Sequence, residues 1–235
     1  MQRLKTFVNG HWQLFAMTAV IFALWQTPVV IPLKILVVYL HELSHGAAAI
    51  MTGGDIEQLN VSPHQGGFAL TRGGSRFVIL SAGYVGSLVI GMVLLVLALR
   101  STADRIVMAV LGTVTLLATV LYMRDAFTIA FGAVTGAAML ACAKWFSLAV
   151  NDMVLRVIGL SSMIYVPYDI FDDTIRRSTL RSDAFMLAEE FGGTTIMWGA
   201  TWLVISLLVI VVALRFALGQ HSNIDFRAKG PLTRG

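Results

Sequence analysis

Five consecutive residues, His41-Glu42-Leu43-Ser44-His45, carry the chemistry in this chain. They lie inside the apolar run VVIPLKILVVYLHELSHGAAAIM, residues 29–51. On a helix, positions i and i+4 share a face, so both imidazoles point the same way. Two histidines at that spacing bind Zn2+, and the glutamate between them serves as general base toward a water. Ionisable side chains inside a membrane-length apolar helix are costly, which makes a functional reading the default for His41, Glu42 and His45.

Catalytic zinc takes three protein ligands and keeps a position open. His11, His64 and His221 lie near a span start, in a polar segment and in the C-terminal tail, so solvated or interfacial roles are expected of them. The acidic cluster Asp169, Asp172 and Asp173 is the better source of the third ligand. Its i, i+3, i+4 spacing places all three on one helical face. Pro167 is expected to loosen the helix just before it. The competing reading pairs these carboxylates with Arg176 and Arg177 at the membrane interface.

The chain is 57% hydrophobic and 13% charged. Soluble domains carry nearer a quarter charged residues, so the composition describes an integral membrane protein. Nucleic acid is excluded as a partner, because the positive charges are scattered rather than clustered. The lone Cys142 rules out a disulfide framework and a cysteine zinc site.

About 20 apolar residues cross a bilayer. Seven runs meet that length approximately, at 11–27, 29–52, 77–99, 104–123, 126–147, 151–168 and 195–218. They make an all-α bundle in a single membrane domain, 1–218, followed by a polar tail, 219–235, expected to be mobile. The segment 53–76 alternates around Gly66-Gly67 and predicts a short β-hairpin. In 169–194, Ser182 predicts an N-cap, Asp183 suits a helix N-terminus and Gly192-Gly193 a stop, giving a surface helix.

An alternating count of seven spans places the N-terminus, the hairpin and 169–194 on one side. Lys and Arg then divide almost evenly between the two sides, so the positive-inside rule does not choose an orientation. The count does make a separate demand. Four crossings separate the histidines from Asp169, which delivers both to the same leaflet. In SAGYVGS, Gly83 and Gly86 let span three approach the histidine helix closely.

The stretches HELSHGAAAIMTGG (41–54), TRGGSRFVILSAGYVGS (71–87), YDIFDDT (168–174) and SDAFMLAE (182–189) resemble the site-2 protease family of intramembrane zinc metallopeptidases, nearest a small branch of it. The resemblance implies one Zn2+ per chain held by three core helices, with a hairpin beside the zinc helix that pairs with an unfolding substrate. It implies His41 and His45 as ligands and Glu42 as the catalytic base. The family's third ligand is an aspartate following a proline near the end of a later helix. Two registers compete, Pro167 to Asp169 and Pro167 to Asp172, and Asp169 is preferred as the nearer to the helix end.

The expected function is an intramembrane zinc metalloprotease in a multi-pass membrane protein, of the cell membrane if the source is prokaryotic. Its expected partners are a membrane-protein or membrane-peptide substrate and the lipid bilayer. The alternatives are a membrane zinc hydrolase of a lipid or small molecule, and a non-catalytic membrane protein with a retained metal site.

Overall fold

A computed structural model describes residues 2–177 and 179–226. Among these the elements run α1 (Gln2–Leu24), α2 (Ile31–Met51), β1 (Asp55–Val61), β2 (Gly67–Arg72), α3 (Arg76–Arg100), α4 (Asp104–Tyr122), α5 (Ala126–Trp145), α6 (Leu148–Phe171), α7 (Asp183–Phe191) and α8 (Thr195–Ala217). Every helix among them except α7 is long and apolar enough to cross a membrane. The result is an all-α bundle with one small hairpin, consistent with a multi-pass membrane protein.

Local chemistry sets the helix ends. Asp125, Ser147, Ser182 and Thr194 each accept a backbone N–H from the first turn of α5, α6, α7 and α8, satisfying donors that the helix leaves unpaired. Gly192 and Gly193 end α7 with φ of 84° and 86°, a left-handed geometry that glycine tolerates without a Cβ clash. Pro167 does not loosen α6, which runs unbroken through it to Phe171. The irregularity comes later, as a π-helical turn over Asp172–Arg176.

Three helices form the inner layer. Spans α2 and α6 are 61% and 67% buried, against 22% for α1 and α8. Lipid tails are as apolar as leucine, so close van der Waals packing must hold such helices together. Small residues supply it. Gly159 on α6 faces Gly91 and Leu95 on α3, and a Cβ there would come within 2.6 Å of Gly91 O and 2.8 Å of Leu95 Cβ. On the other side of α3, Gly86 lies against Ser44 of α2. Helices α4 and α5 pack on each other through Gly112 and Gly136.

The outer elements depart from the sequence expectations. Ser222 and Ile224 are buried. Ser222 N–H donates to Gly10 O, and Asn223 donates to Asn9 O. The tail therefore packs back on the bundle through residue 224; its end, 227–235, lies outside the described residues. His11 is buried rather than solvated, with its Nδ1 2.7 Å from Ser222 Oγ. These contacts put the first half of α1 where α8 ends, while Trp25 meets Tyr165 and Lys34 farther along the bundle. Helix α1 thus rises in the same sense as α6. Its N-terminal half sits at the end away from the hairpin, opposite to the alternating count.

The α3–α6 crossing gives a direct test. Gly159→Ala adds a methyl with no room beside the Gly91 carbonyl, and overpacking of this kind costs about 1–3 kcal/mol. The expected outcome is a lowered melting temperature in detergent micelles. An unchanged melting temperature would mean that the crossing yields easily.

Candidate active site

The site begins in the second half of α2. The i, i+4 spacing turns His41 and His45 to one face, where their rings lie 4.7 Å apart between centroids. Glu42 and His45 are buried. Helix α3 comes close only because residue 83 is glycine. A Cβ there would lie 2.6 Å from a ring carbon of each histidine.

A third group comes from α7. His41 Nε2 lies 3.0 Å and His45 Nε2 3.2 Å from the same Asp183 oxygen, Oδ2. Among the described residues these three form the group whose ligand atoms all fall within 4.8 Å of one another. Asp169, preferred on sequence, does not join it. It lines the same cavity but faces Arg177, at 4.0 Å. Asp172 pairs with Arg177 at 2.8 Å, and Asp173 accepts Arg177 N–H at 2.9 Å and the Tyr84 hydroxyl at 2.7 Å. Arg177 thus contacts all three carboxylates, and the Tyr84 hydroxyl donates to one of them. The π-helical turn gathers the three carboxylates around Arg177, leaving the imidazoles to α7. Sequence reasoning gave Asp183 only a helix N-terminal role. The signal that could have found it was the stretch SDAFMLAE itself.

Hydrogen bonding tests whether a metal fits. His45 Nδ1 is 2.6 Å from Ile79 O, which can only accept, so Nδ1 carries a proton. A neutral ring then presents a bare lone pair at Nε2 to a carboxylate oxygen 3.2 Å away. Nε2 and Oδ2 this close are held together by a positive charge, either a metal ion or a second ring proton in an imidazolium–carboxylate pair. The ring N–H held by a backbone carbonyl is also the arrangement that orients metal-binding histidines. A tetrahedral zinc site with ligands at ~2.0–2.1 Å has edges of ~3.3 Å, close to the separations here. The donor set fits a zinc ion.

Without a metal the same three groups form an ion pair. Burial would push the Asp183 carboxyl up, but the protonated, positively charged His45 and His41 rings overcome this and hold it well below the usual carboxylate range. Burial lowers Arg177 in turn, and the carboxylates of Asp173, Asp172 and Asp169 more than reverse that.

The group opens into a cavity of about 540 Å³ lined by Glu42, Tyr84 and β2 from Gly67 to Thr71. The hairpin presses on the glutamate, since a Cβ at Gly67 would lie 2.7 Å from Glu42 Oε1. The opposite edge of the hairpin is closed. Val61 N–H donates to Thr128 Oγ1 at 3.1 Å, and that hydroxyl donates to Val61 O at 2.9 Å. Val61 thus directs its backbone groups outward, away from β2. Its partner is Gly67, and by strand alternation the pair Leu59 and Ala69 does the same. The outward groups of β2 are therefore those of Gly67 and Ala69, on the strand that lines the cavity.

Comparison with known proteins is consistent with this constellation. Searches of curated proteins and of solved structures each found no match. A family model described as Peptidase M50B-like matches residues 14–213, which include the whole site. The chain belongs to this family, and with it to the site-2 protease family of intramembrane metallopeptidases.

Proposed function

We propose that the chain is a zinc-dependent endopeptidase that cuts peptide bonds in or beside membrane-spanning segments. The observation that carries this reading is the convergence of His41 Nε2 and His45 Nε2 on one Asp183 oxygen, in a cavity shared with Glu42. His41, His45 and Asp183 would hold one Zn2+, for which two imidazoles and a carboxylate are a suitable set. Bound there, zinc would supply a Lewis acid for the scissile carbonyl and the charge that acidifies a neighbouring water. Glu42 accepts the proton of the attacking water and delivers it to the leaving amine. Gly67 limits where the Glu42 carboxylate can move. Tyr84 sets its ring edge-on to His41, with its hydroxyl anchored on Asp173.

The substrate must be extended at the cut, because a helix buries its carbonyls in its own hydrogen bonds. The outward groups of Gly67 and Ala69 offer such a segment a strand to pair with. A small-molecule hydrolase could use the same ligands but has no need of that edge, which favours a peptide.

Three measurements test this. Metal analysis of purified protein should find one zinc per chain. His45→Ala and Asp183→Asn should each lose most of it, whereas Asp169→Asn should keep at least about half, its carboxylate being engaged by Arg177. Zinc retained by Asp183→Asn and lost by Asp169→Asn would return the ligand role to Asp169.

Glu42→Gln keeps the shape but not the basicity. Zinc should stay while turnover of a membrane-segment substrate falls at least ~100-fold, the scale of a lost general base. Loss of metal together with fold would make Glu42 a structural group instead.

Ala69→Pro deletes an outward donor of β2 without breaking the ladder to β1. Zinc content should be unchanged and peptide cleavage reduced at least ~5-fold, the scale of one hydrogen bond. Normal cleavage by this variant would exclude strand pairing through Ala69.

A further inference from the structure

A second cavity, of about 620 Å³, lies along α4 and α5, built entirely from those two helices and separate from the site. Its least exposed lining includes two small side chains, Ala109 of α4 and Ala143 of α5. Ile106, Val110 and Val114 form a wall and are 67%, 57% and 39% exposed. Thr113 adds no polarity, because its hydroxyl donates to Ala109 O at 2.8 Å. The charged lining residues are Arg105 and Lys144, together at one end where α4 starts and α5 stops. Both are cations and both are exposed. The neighbouring carboxylate, Asp104, is buried and is not among the lining residues. Arg105 donates an N–H to Phe146 O at 2.8 Å, which ties the guanidinium to the end of α5. Four further N–H donors remain on that group for a ligand. Lys144 Nζ sits 5.4 Å over the ring of Trp145, an aromatic residue suited to the membrane interface.

These dimensions match one kind of molecule. From Arg105 to Val114 the groove follows nine residues of helix, about 13–14 Å. That is close to half of a ~30 Å hydrocarbon core, the depth one acyl chain occupies. An apolar channel of one-leaflet depth, with two cations at its interfacial end and no lining carboxylate, complements a lipid whose headgroup is an anion.

We propose that the α4–α5 groove binds one anionic phospholipid, an acyl chain lying along Ala109 and Ala143 and the phosphate resting between Arg105 and Lys144. The site does not depend on the peptidase reading, since none of its residues lines the catalytic cavity.

Native mass spectrometry on protein purified in detergent with equal amounts of dioleoyl phosphatidylglycerol and dioleoyl phosphatidylcholine tests it. The wild-type chain should retain one phosphatidylglycerol, with a preference of roughly 30-fold over phosphatidylcholine, as two cations beside an anionic headgroup provide. Arg105→Gln with Lys144→Gln should bring that preference to within about threefold of unity. Arg105→Lys, which keeps the charge, should preserve most of it. Ala109→Phe fills the groove, keeps both cations and should lose both lipids. If Ala109→Phe does not fold, the charge variants decide alone, because they alter only exposed groups. Equal retention of the two lipids, retention of neither by the wild type, or an unchanged preference in the double variant would overturn the proposal. So would a dimeric mass that the variants convert to monomer, since a second copy of the chain would then be the occupant.

Discussion

A charge inside a bilayer has to find its partner within the protein, and this one constraint organises the bundle. Helix α2 carries His41, Glu42 and His45 in an otherwise apolar run, a costly placement unless partners inside the protein meet them. Their needs dictate the neighbours. Helix α3 must come near enough for Ile79 O to accept the His45 N–H, and this requires glycine at 83. Helix α7, too short to cross the membrane, has to reach the imidazoles so that Asp183 can meet both. The hairpin has to lie flat against Glu42, which requires glycine at 67. Glycines and a short helix are thus consequences of three polar side chains on one turn of α2.

How much of this was legible follows from how far each signal lies along the chain from the group it serves. The HExxH spacing is local, and helical periodicity alone puts His41 and His45 on one face. Span composition is local too, so the all-α bundle was readable. Asp183 was legible only through the stretch SDAFMLAE, since helix geometry alone gives it an N-terminal role, and its meeting with the imidazoles depends on where α7 docks against α3 and α8. The cluster of Asp169, Asp172 and Asp173 shows the complementary case. Its density of carboxylates reads as a ligand source, yet Arg177, four to eight residues away, satisfies them first. Helix α1 shows a third kind of failure. Alternation assumes that each apolar run crosses fully and reverses, whereas the contacts of Gly10, His11 and Trp25 give α1 the same sense as α6.

The hairpin solves a problem common to isolated sheets. A two-stranded sheet has two unpaired edges, each a template for unwanted pairing. Here one is closed by a single hydroxyl, Thr128, which both accepts from and donates to Val61, and Asn60 reinforces it by donating to Asp125. Both partners lie in the first turn of α5 or cap it. The α4–α5 pair therefore serves the site at a distance, by fixing which edge of the hairpin remains available and by holding that edge over Glu42.

Buried charges fall into two sets, and the contrast between them separates structure from chemistry. At the end away from the hairpin, Arg156 is buried between the Asp152 carboxylate and Ser222 O, and this links α6 to the returning tail. Its charge is met on both sides by fixed partners, and neither Arg156 nor Asp152 lines a described cavity. Such a pair lends specificity to the packing of the tail. The His41, His45 and Asp183 group differs in two respects. Its two ring nitrogens converge on one carboxylate oxygen, and it borders a cavity of about 540 Å³ shared with Glu42. A polar group that is buried yet open to a cavity has room to receive a further partner. That combination, more than burial or charge alone, distinguishes the working end of this bundle from its structural end.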